Sequence, residues 1–394
     1  MGAIAFDFEN MRGAAFDVER PIVEIDRISQ LRRASEEHCP PGKLLQRYLS
    51  AAAGYGRLSF EDFMKLRLFE SRFADRDRLR AFVGERRNVF LCTKVNYRVD
   101  WVAMLTDKVA ERSYLSAFGL PTIGFQAIYS PGCSRGQRNL GNAAELKQFL
   151  LHEAQYPLFG KPVEGVRSLG SIGLRSCDPA LRMLRRSDGR ELAVDELIDA
   201  IVGNYADGYV FQSFVAPSAA IRALCGDRLS TVRFLTLQTP DGPIIARTAM
   251  KIPGGVNVAD NFWRKGNLLA QIDPETGQLG RVVSGSGLEM IEVARHPETN
   301  MAFDAWTHPD WETMRQLALD GATTMRHVPM IGWDIADTAS GPTIVEMNIT
   351  PDCFLFQLVD GAGMLNGQFR DFVAYQTKKG LDASKAVKAA LRHL

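Results

Sequence analysis

The sequence predicts an α+β protein, with two α+β lobes facing each other after a mainly helical N-terminal region. Three observations predict it. Up to about residue 105 the apolar residues recur at helical spacing. From about residue 120, short β-prone runs alternate with helical ones, separated by Gly, Pro, Asn and Asp turn signals. The length of 394 residues exceeds one ordinary core and suits two or three packed subdomains. The expected divisions are 1–104 for the helical region, 105–215 for lobe one, and 216–394 for lobe two with the C-terminal helices.

In the helical region, Leu44, Leu45, Tyr48 and Leu49 form an apolar stripe that Gly54 and Gly56 terminate. Ser59 suits an N-cap, with Asp62 three residues on, ahead of Phe63-Met64-Lys65-Leu66. A helix is expected over 107–118, with Thr106 as its cap, Gly119 past its end and Pro121 blocking continuation. Residues 121–129 read as strand. Asn142 caps a helix running to about Ala154, with Glu145 in the reciprocal capping position. A strand at 157–163, a glycine-rich loop, a strand near 173–176, a helix at 194–202 and a strand at 209–214 complete the first lobe.

The second lobe is richer in strands. Runs 231–238 and 244–251 flank Pro240-Asp241-Gly242, where Pro presets φ and Gly tolerates positive φ. Runs 267–272 and 280–283 flank Asp273-Pro274-Glu275-Thr276-Gly277, a second hairpin. A helix over 310–327 precedes paired strands at 332–336 and 343–348, joined at Ser340-Gly341. Helices close the chain, the last rich in Lys and Ala.

Composition narrows the function classes. Lys plus Arg (47) nearly balances Asp plus Glu (46), for a net charge of +1. No global field favours nucleic acid or an anionic membrane, and neither is expected as a partner. A solvated helix face accounts for Arg182, Arg185 and Arg186. No apolar run approaches the ~18 residues that span a bilayer. The first ten residues carry acidic side chains and no long apolar core, so no secretory signal is expected. Six cysteines lie scattered without a CxxC, as in reduced cytosolic proteins, and a cytoplasmic location is expected. Six histidines without paired spacing make a zinc site unexpected. The oligomeric state stays open.

Three constellations carry chemistry. In the first, Phe159-Gly160-Lys161-Pro162-Val163 precedes Gly165-Val166-Arg167-Ser168-Leu169-Gly170-Ser171-Ile172-Gly173. A strand-end lysine can reach phosphate oxygens, and a Gly/Ser loop lets backbone N–H groups approach a triphosphate. It is neither a Walker A loop nor a Rossmann turn. An ordinary glycine-rich hairpin explains the same residues. In the second, Gly332-Trp333-Asp334-Ile335-Ala336 and Val345-Glu346-Met347-Asn348 form adjacent strands. Asp334, Glu346 and Asn348 can share a face there, since i and i+2 do. Such hard oxygen donors suit Mg²⁺; a solvated polar sheet face is the alternative, against which a carboxylate pair and an amide clustered beside an apolar core argue. In the third, Arg233 sits on one long strand, and Arg247 and Lys251 share a face of the next. Cations there can meet phosphate, or merely line an exposed face.

The order of Lys108 before a helix, Lys161-Pro162, the glycine loop, a hinge strand, then Asp334 and Glu346-Met347-Asn348 resembles the ATP-grasp superfamily. Ser230-Thr231-Val232-Arg233, Asp260-Asn261, Gly332-Trp333-Asp334-Ile335-Ala336 and Glu346-Met347-Asn348 look more specifically like the sugar-transfer-associated ATP-grasp family. The resemblance covers roughly residues 105–360. It implies an ATP-grasp fold whose two lobes clasp ATP. It also implies that Lys108 and Lys161 contact the phosphates, and that Ser168, Gly170, Ser171 and Ile172 belong to a flap over them. Gln212, Phe214 and Val215 would form the adenine hinge, with Phe214 and Met347 packing on the ring. Lys251 would reach the γ-phosphate, and Asp334, Glu346 and Asn348 would hold one or two Mg²⁺. Gly332 stands where many such ligases carry Arg, with Arg233 or Arg247 as substitutes. The hinge has Gln212-Ser213 where related enzymes often begin with Glu, and Lys265-Gly266-Asn267 replaces a Gly-Gly pair.

The activity the resemblance implies is that of an ATP-dependent carboxylate–amine ligase, or one using another nucleophile. It works through an acyl phosphate and releases ADP and phosphate. Its partners are a small-molecule carboxylate and an acceptor. Phosphorylation of a hydroxyl, as by an ATP-grasp kinase, uses the same ATP residues. A nucleotide-binding regulator without turnover is the third reading, against which the intact metal set argues.

Overall fold

Two seven-stranded sheets, one in each of two units, organise the chain. The computed structural model describes residues 27–391 except 137, 166–169, 256 and 258. Among these, the first unit comprises 106–112 and 123–215, and the second 27–105, 113–122 and 216–391. The helices preceding residue 105 therefore share a unit with the second sheet. No helix among the described residues is long and apolar enough to cross a membrane.

The first sheet consists of β1 (Phe125–Tyr129), β2 (Asn139–Leu140), β3 (Leu158–Pro162), β4 (Ile172–Asp178), β5 (Met183–Arg186), β6 (Glu191–Ala193) and β7 (Tyr209–Ser213). Their order is β2-β1-β7-β3-β4-β5-β6. Only β1 and β2 pair in parallel; the other neighbours are antiparallel. The basic residues expected on a helix lie elsewhere: Arg182 is in the turn before β5, and Arg185 and Arg186 are on that strand. Ladders to β4 and β6 take up its backbone groups, and Gly189 at φ 86° turns the chain back.

One face of this sheet is covered by the helices Ala143–Gln148 and Val194–Asn204. Leu146, Leu197, Ile198 and Ile201 pack there on Leu158, Ile172, Tyr209 and Phe211. Asn142 caps the first of these helices through the Glu145 N–H, as expected. The last stretch, Phe149–Glu153, widens into a π turn. The helix Lys108–Ala117 is capped by Asp107, whose Oδ1 accepts from the N–H groups of Val109 and Ala110. The cap thus falls one residue later than Thr106, because Asp is the stronger acceptor for two orphan donors.

The second sheet consists of β8 (Thr231–Thr239), β9 (Gly242–Ile252), β10 (Leu268–Ile272), β11 (Leu279–Ser284), β12 (Ile291–Glu292), β13 (Met330–Thr338) and β14 (Gly341–Asn348). Their order is β12-β11-β10-β9-β8-β13-β14, antiparallel throughout. Strand alternation separates two apolar layers. Val232, Phe234, Met250, Trp333 and Ile335 face the helix Trp311–Thr324. Leu235, Leu237, Ala249, Leu269 and Met330 face the helix Cys353–Asp360 and the N-terminal helices. Ser59 and Asp62 form the predicted capping box, and the stripe helix runs Pro41–Ala52.

Candidate functional site

The second unit gathers a polar network on the face of its sheet that also carries Leu235 and Ala249. Asp334 lies directly across from Arg233 on β8 and from Glu346 on β14. Gly332 lies across from Asn348. Directly opposed residues of an antiparallel pair point to one side, so the ladder places Asp334, Glu346, Asn348 and Arg233 on a common face. Val345 is the extra residue of a bulge: Asp334 pairs with Glu346, but Ile335 pairs with Ile344.

Asp334 is 3% exposed and is held by two cations. Arg233 grips it with two nitrogens: Nε donates to Oδ1, and Nη2 to Oδ2 at 2.7 Å. The ammonium of Lys251 donates to Oδ2 at 3.0 Å and lies 3.6 Å from Asp260. Burial alone would push the Asp334 carboxyl up. Arg233 and Lys251 outweigh it and hold the group down at about 2. Burial pushes Asp260 up, with Lys251 opposing, and Asp260 accepts from the N–H and hydroxyl of Thr231. Asn348 donates from Nδ2 to the Gly332 carbonyl at 3.3 Å and to Asp334 Oδ2 at 3.4 Å.

Gly332 explains how Arg233 reaches this position. A Cβ there would lie 2.9 Å from Pro351 Cβ, 3.0 Å from Arg233 Cδ and 3.6 Å from Asn348 Cβ. The Arg233 side chain runs across the space that any side chain at 332 would fill. An arginine at 332 and this path for Arg233 exclude each other.

Arg247 stands apart. It shares the face with Lys251, but four residues along a strand separate them by roughly 13 Å. There it pairs with Asp360 at 2.9 Å and donates to the Gly363 carbonyl. Met347 sits on the opposite face, 5% exposed in the apolar layer with Trp333.

The first unit groups the other candidates. Lys161 on β3 pairs with Val210 on β7, and Phe159 with Gln212, so Lys161 and Gln212 share a face. Both are buried, at 9% and 5% exposure. Around them Val109, Ile128, Val163 and Val210 form a small apolar cluster. The Lys108 ammonium donates to the Gly165 carbonyl at 2.9 Å, at the entrance of the glycine loop. Gly170, at φ 73°, is fixed by the Tyr209 hydroxyl, which donates to its carbonyl at 2.8 Å. A Cβ at Gly170 would meet that neighbourhood at 2.2 Å from the Tyr205 hydroxyl. Ser171 is half-buried, while Ile172 packs into the core on the other face of the sheet. Phe214 is 41% exposed, its N–H donating to the Pro157 carbonyl, and Val215 ends the unit. Ser168 lies outside the described residues.

The donor set fits magnesium. Asp334 is ionised, Glu346 faces it across the ladder, and Asn348 adds an amide oxygen; all are hard oxygen ligands. No three His, Cys, Asp or Glu converge among the described residues, so a third side-chain donor beside Asp334 and Glu346 would be the Asn348 amide. Two acids beside this set have no motif of their own. Asp260 enters the sequence argument only through the resemblance. Asp352, which accepts from Trp263 Nε1 at 3.0 Å and whose carboxyl burial pushes up, has no sequence signal at all.

A sequence profile of the sugar-transfer-associated ATP-grasp family matches residues 182–370, which hold the whole polar network of the second unit. Over those residues the chain is similar to ATP-grasp proteins. It resembles the sugar-transfer-associated family among them. A search of curated proteins gave no match. Solved structures similar to it include the D-alanine-D-alanine ligase from Coxiella burnetii, at 13% identity and a TM-score of 0.42, covering 73% of this chain and 61% of that one. The D-alanine–D-alanine ligase from Bacillus anthracis is 11% identical, covering 71% and 69%, with a TM-score of 0.39. The L-amino acid ligase from Bacillus licheniformis is 13% identical, covering 63% and 41%, with a TM-score of 0.34. The chain thus spans less than two thirds of the first of these proteins.

Proposed function

We propose that this protein is an ATP-grasp, ATP-dependent ligase that activates a small-molecule carboxylate as an acyl phosphate and transfers it to an amine or another nucleophile. The observation that carries this reading is the Asp334–Glu346–Asn348 face joined to Arg233 and Lys251. It combines donors for a hard cation with two buried cations suited to anions. Bound Mg²⁺ would supply charge neutralisation on the transferring phosphoryl group.

In this reading Lys108 and Lys161 contact the nucleotide phosphates, and Gln212 and Val215 offer hinge groups to adenine. Asp334, Glu346 and Asn348 hold one or two Mg²⁺. Lys251 turns from Asp334 toward the γ-phosphate. An oxygen of the substrate carboxylate attacks the γ-phosphorus, and the bond to the β-phosphate oxygen breaks, releasing ADP. Arg233 faces the negative charge of the acyl phosphate. The acceptor then attacks the acyl carbon, loses a proton, and phosphate leaves. The protein acts by positioning and by excluding water, and no nucleophilic side chain is required. A cytoplasmic setting suits this use of ATP.

Hydroxylamine tests the reading. With a competent carboxylate and ATP, but no acceptor, it should yield hydroxamate and ADP in equal amounts. Oxygen label from the carboxylate should appear in phosphate. A stable phosphorylated hydroxyl without hydroxamate would replace the ligase reading with a kinase one. Mg-ATP binding without any ADP formation would leave a nucleotide-binding regulator.

A further inference from the structure

The helices before residue 105 carry no recognisable motif, yet their side chains hold the backbone at the end of the metal-face hairpin. Beyond the Gly332–Asn348 pair, β14 ends and Met330 on β13 has no further partner on that strand. Asn96, which follows the helix Glu85–Val95, takes over there. Its Oδ1 accepts from the Met330 N–H at 2.9 Å. Its Nδ2 donates to the carbonyls of Met330 and Ile349, each at 2.9 Å. One buried amide, 4% exposed, therefore bridges β13 to the residue that directly follows Asn348.

Two further amides repeat the device. Asn88, on the same helix, donates to the Pro351 carbonyl at 2.7 Å. Gln357 donates to the Val83 carbonyl at 2.9 Å and accepts from its N–H at 2.7 Å. Together they pin residues 349–357 to residues 83–96. Pro351 is also a wall of the channel through which Arg233 reaches Asp334, since its Cβ is the atom nearest to a Cβ built at Gly332.

We propose that Asn96, assisted by Asn88, is a positioning residue for the metal face, fixing Asn348 and the Pro351 wall so that Asn348 and Asp334 meet the cation at fixed separation. The helical region is then a working part of the metal-bearing unit. The inference rests on the magnesium–nucleotide reading above. The physical reason is that the carbonyls of residues 349 and 351 belong to chain leaving the sheet. Without the two amides they have no ladder to define their place, and Asn348 inherits that freedom.

The test uses the full chain with the substitutions Asn96→Asp, Asn96→Leu and Asn88→Ala. The probe is a non-hydrolysable ATP analogue, titrated by calorimetry at varied Mg²⁺ and again without metal. Removing support from a metal ligand typically costs 10–100-fold in metal affinity. The Mg²⁺ needed for half-maximal analogue binding should rise by about that factor in Asn96→Leu. It should rise less in Asn96→Asp, which keeps the acceptor for Met330, and in Asn88→Ala, which loses one bond. Affinity in the absence of metal should stay at the wild-type value. If Asn96→Leu does not fold, Asn96→Asp and Asn88→Ala decide. Wild-type Mg²⁺ dependence in those two, whatever their stability, overturns the inference and leaves the reading of the site intact. A wild-type protein whose analogue binding ignores Mg²⁺ overturns both.

Discussion

Asp334 and Glu346 face each other across one ladder, yet neutralising them should have very unequal consequences for stability. Asp334→Asn keeps the shape of the side chain and removes its charge. Arg233 and Lys251, 7% and 6% exposed, would then remain buried without their common partner. Breaking a buried ion pair from one side costs about 3–5 kcal/mol. A second route gives a similar size. Lowering the carboxyl from 3.8 to about 2 corresponds to about 2.5 kcal/mol of stabilisation by the native surroundings. A loss of about 3 kcal/mol at neutral pH is therefore expected. The sign follows from the depressed value: the contribution is present above the unfolded pKa near 4 and is lost as pH falls through about 2. The deficit of Asp334→Asn should shrink over that window. Glu346 is half-buried and forms no ion pair with either cation among the described residues. Glu346→Gln should cost less than about 1 kcal/mol, while Mg²⁺-dependent turnover falls at least ~100-fold. All five tryptophans, Trp101, Trp263, Trp306, Trp311 and Trp333, lie in the second unit, so their fluorescence during urea unfolding reports on that unit. An Asp334→Asn midpoint equal to wild type at pH 7, or an equal loss in both variants, would refute the reasoning.

Two other outcomes are expected. Lys161→Ala should weaken binding of a non-hydrolysable ATP analogue by calorimetry, and Lys161→Arg should restore it only in part, because a planar guanidinium does not replace a compact ammonium; an unchanged dissociation constant would make the residue structural. Gly332→Ala places a methyl group 2.9 Å from Pro351 and 3.0 Å from Arg233, so it should destabilise the unit by roughly 1–3 kcal/mol and reduce turnover by displacing Arg233; wild-type values of both would show that the channel tolerates a side chain.

Local chemistry was readable along the chain. The Ser59–Asp62 box, the Asn142 cap, the Gly242 and Gly277 turns and the Glu346-Met347-Asn348 alternation each involve residues a few positions apart, where covalent geometry fixes who can meet. For that reason the sequence by itself determined the α+β class, the hairpins and the residues that can form a metal face. It did not determine their partners. Arg233 lies 101 residues from Asp334 and Lys251 lies 83, and no spacing rule joins them. Arg247, equally plausible on pattern, was sent to Asp360 by its place along the strand. Asn88 and Asn96 left no trace because they bind backbone carbonyls, which every residue presents alike. Only the tertiary structure, by bringing distant strands into register and seating the early helices against residues 349–357, decided which charges neutralise one another and which side chains hold the backbone beside Asn348.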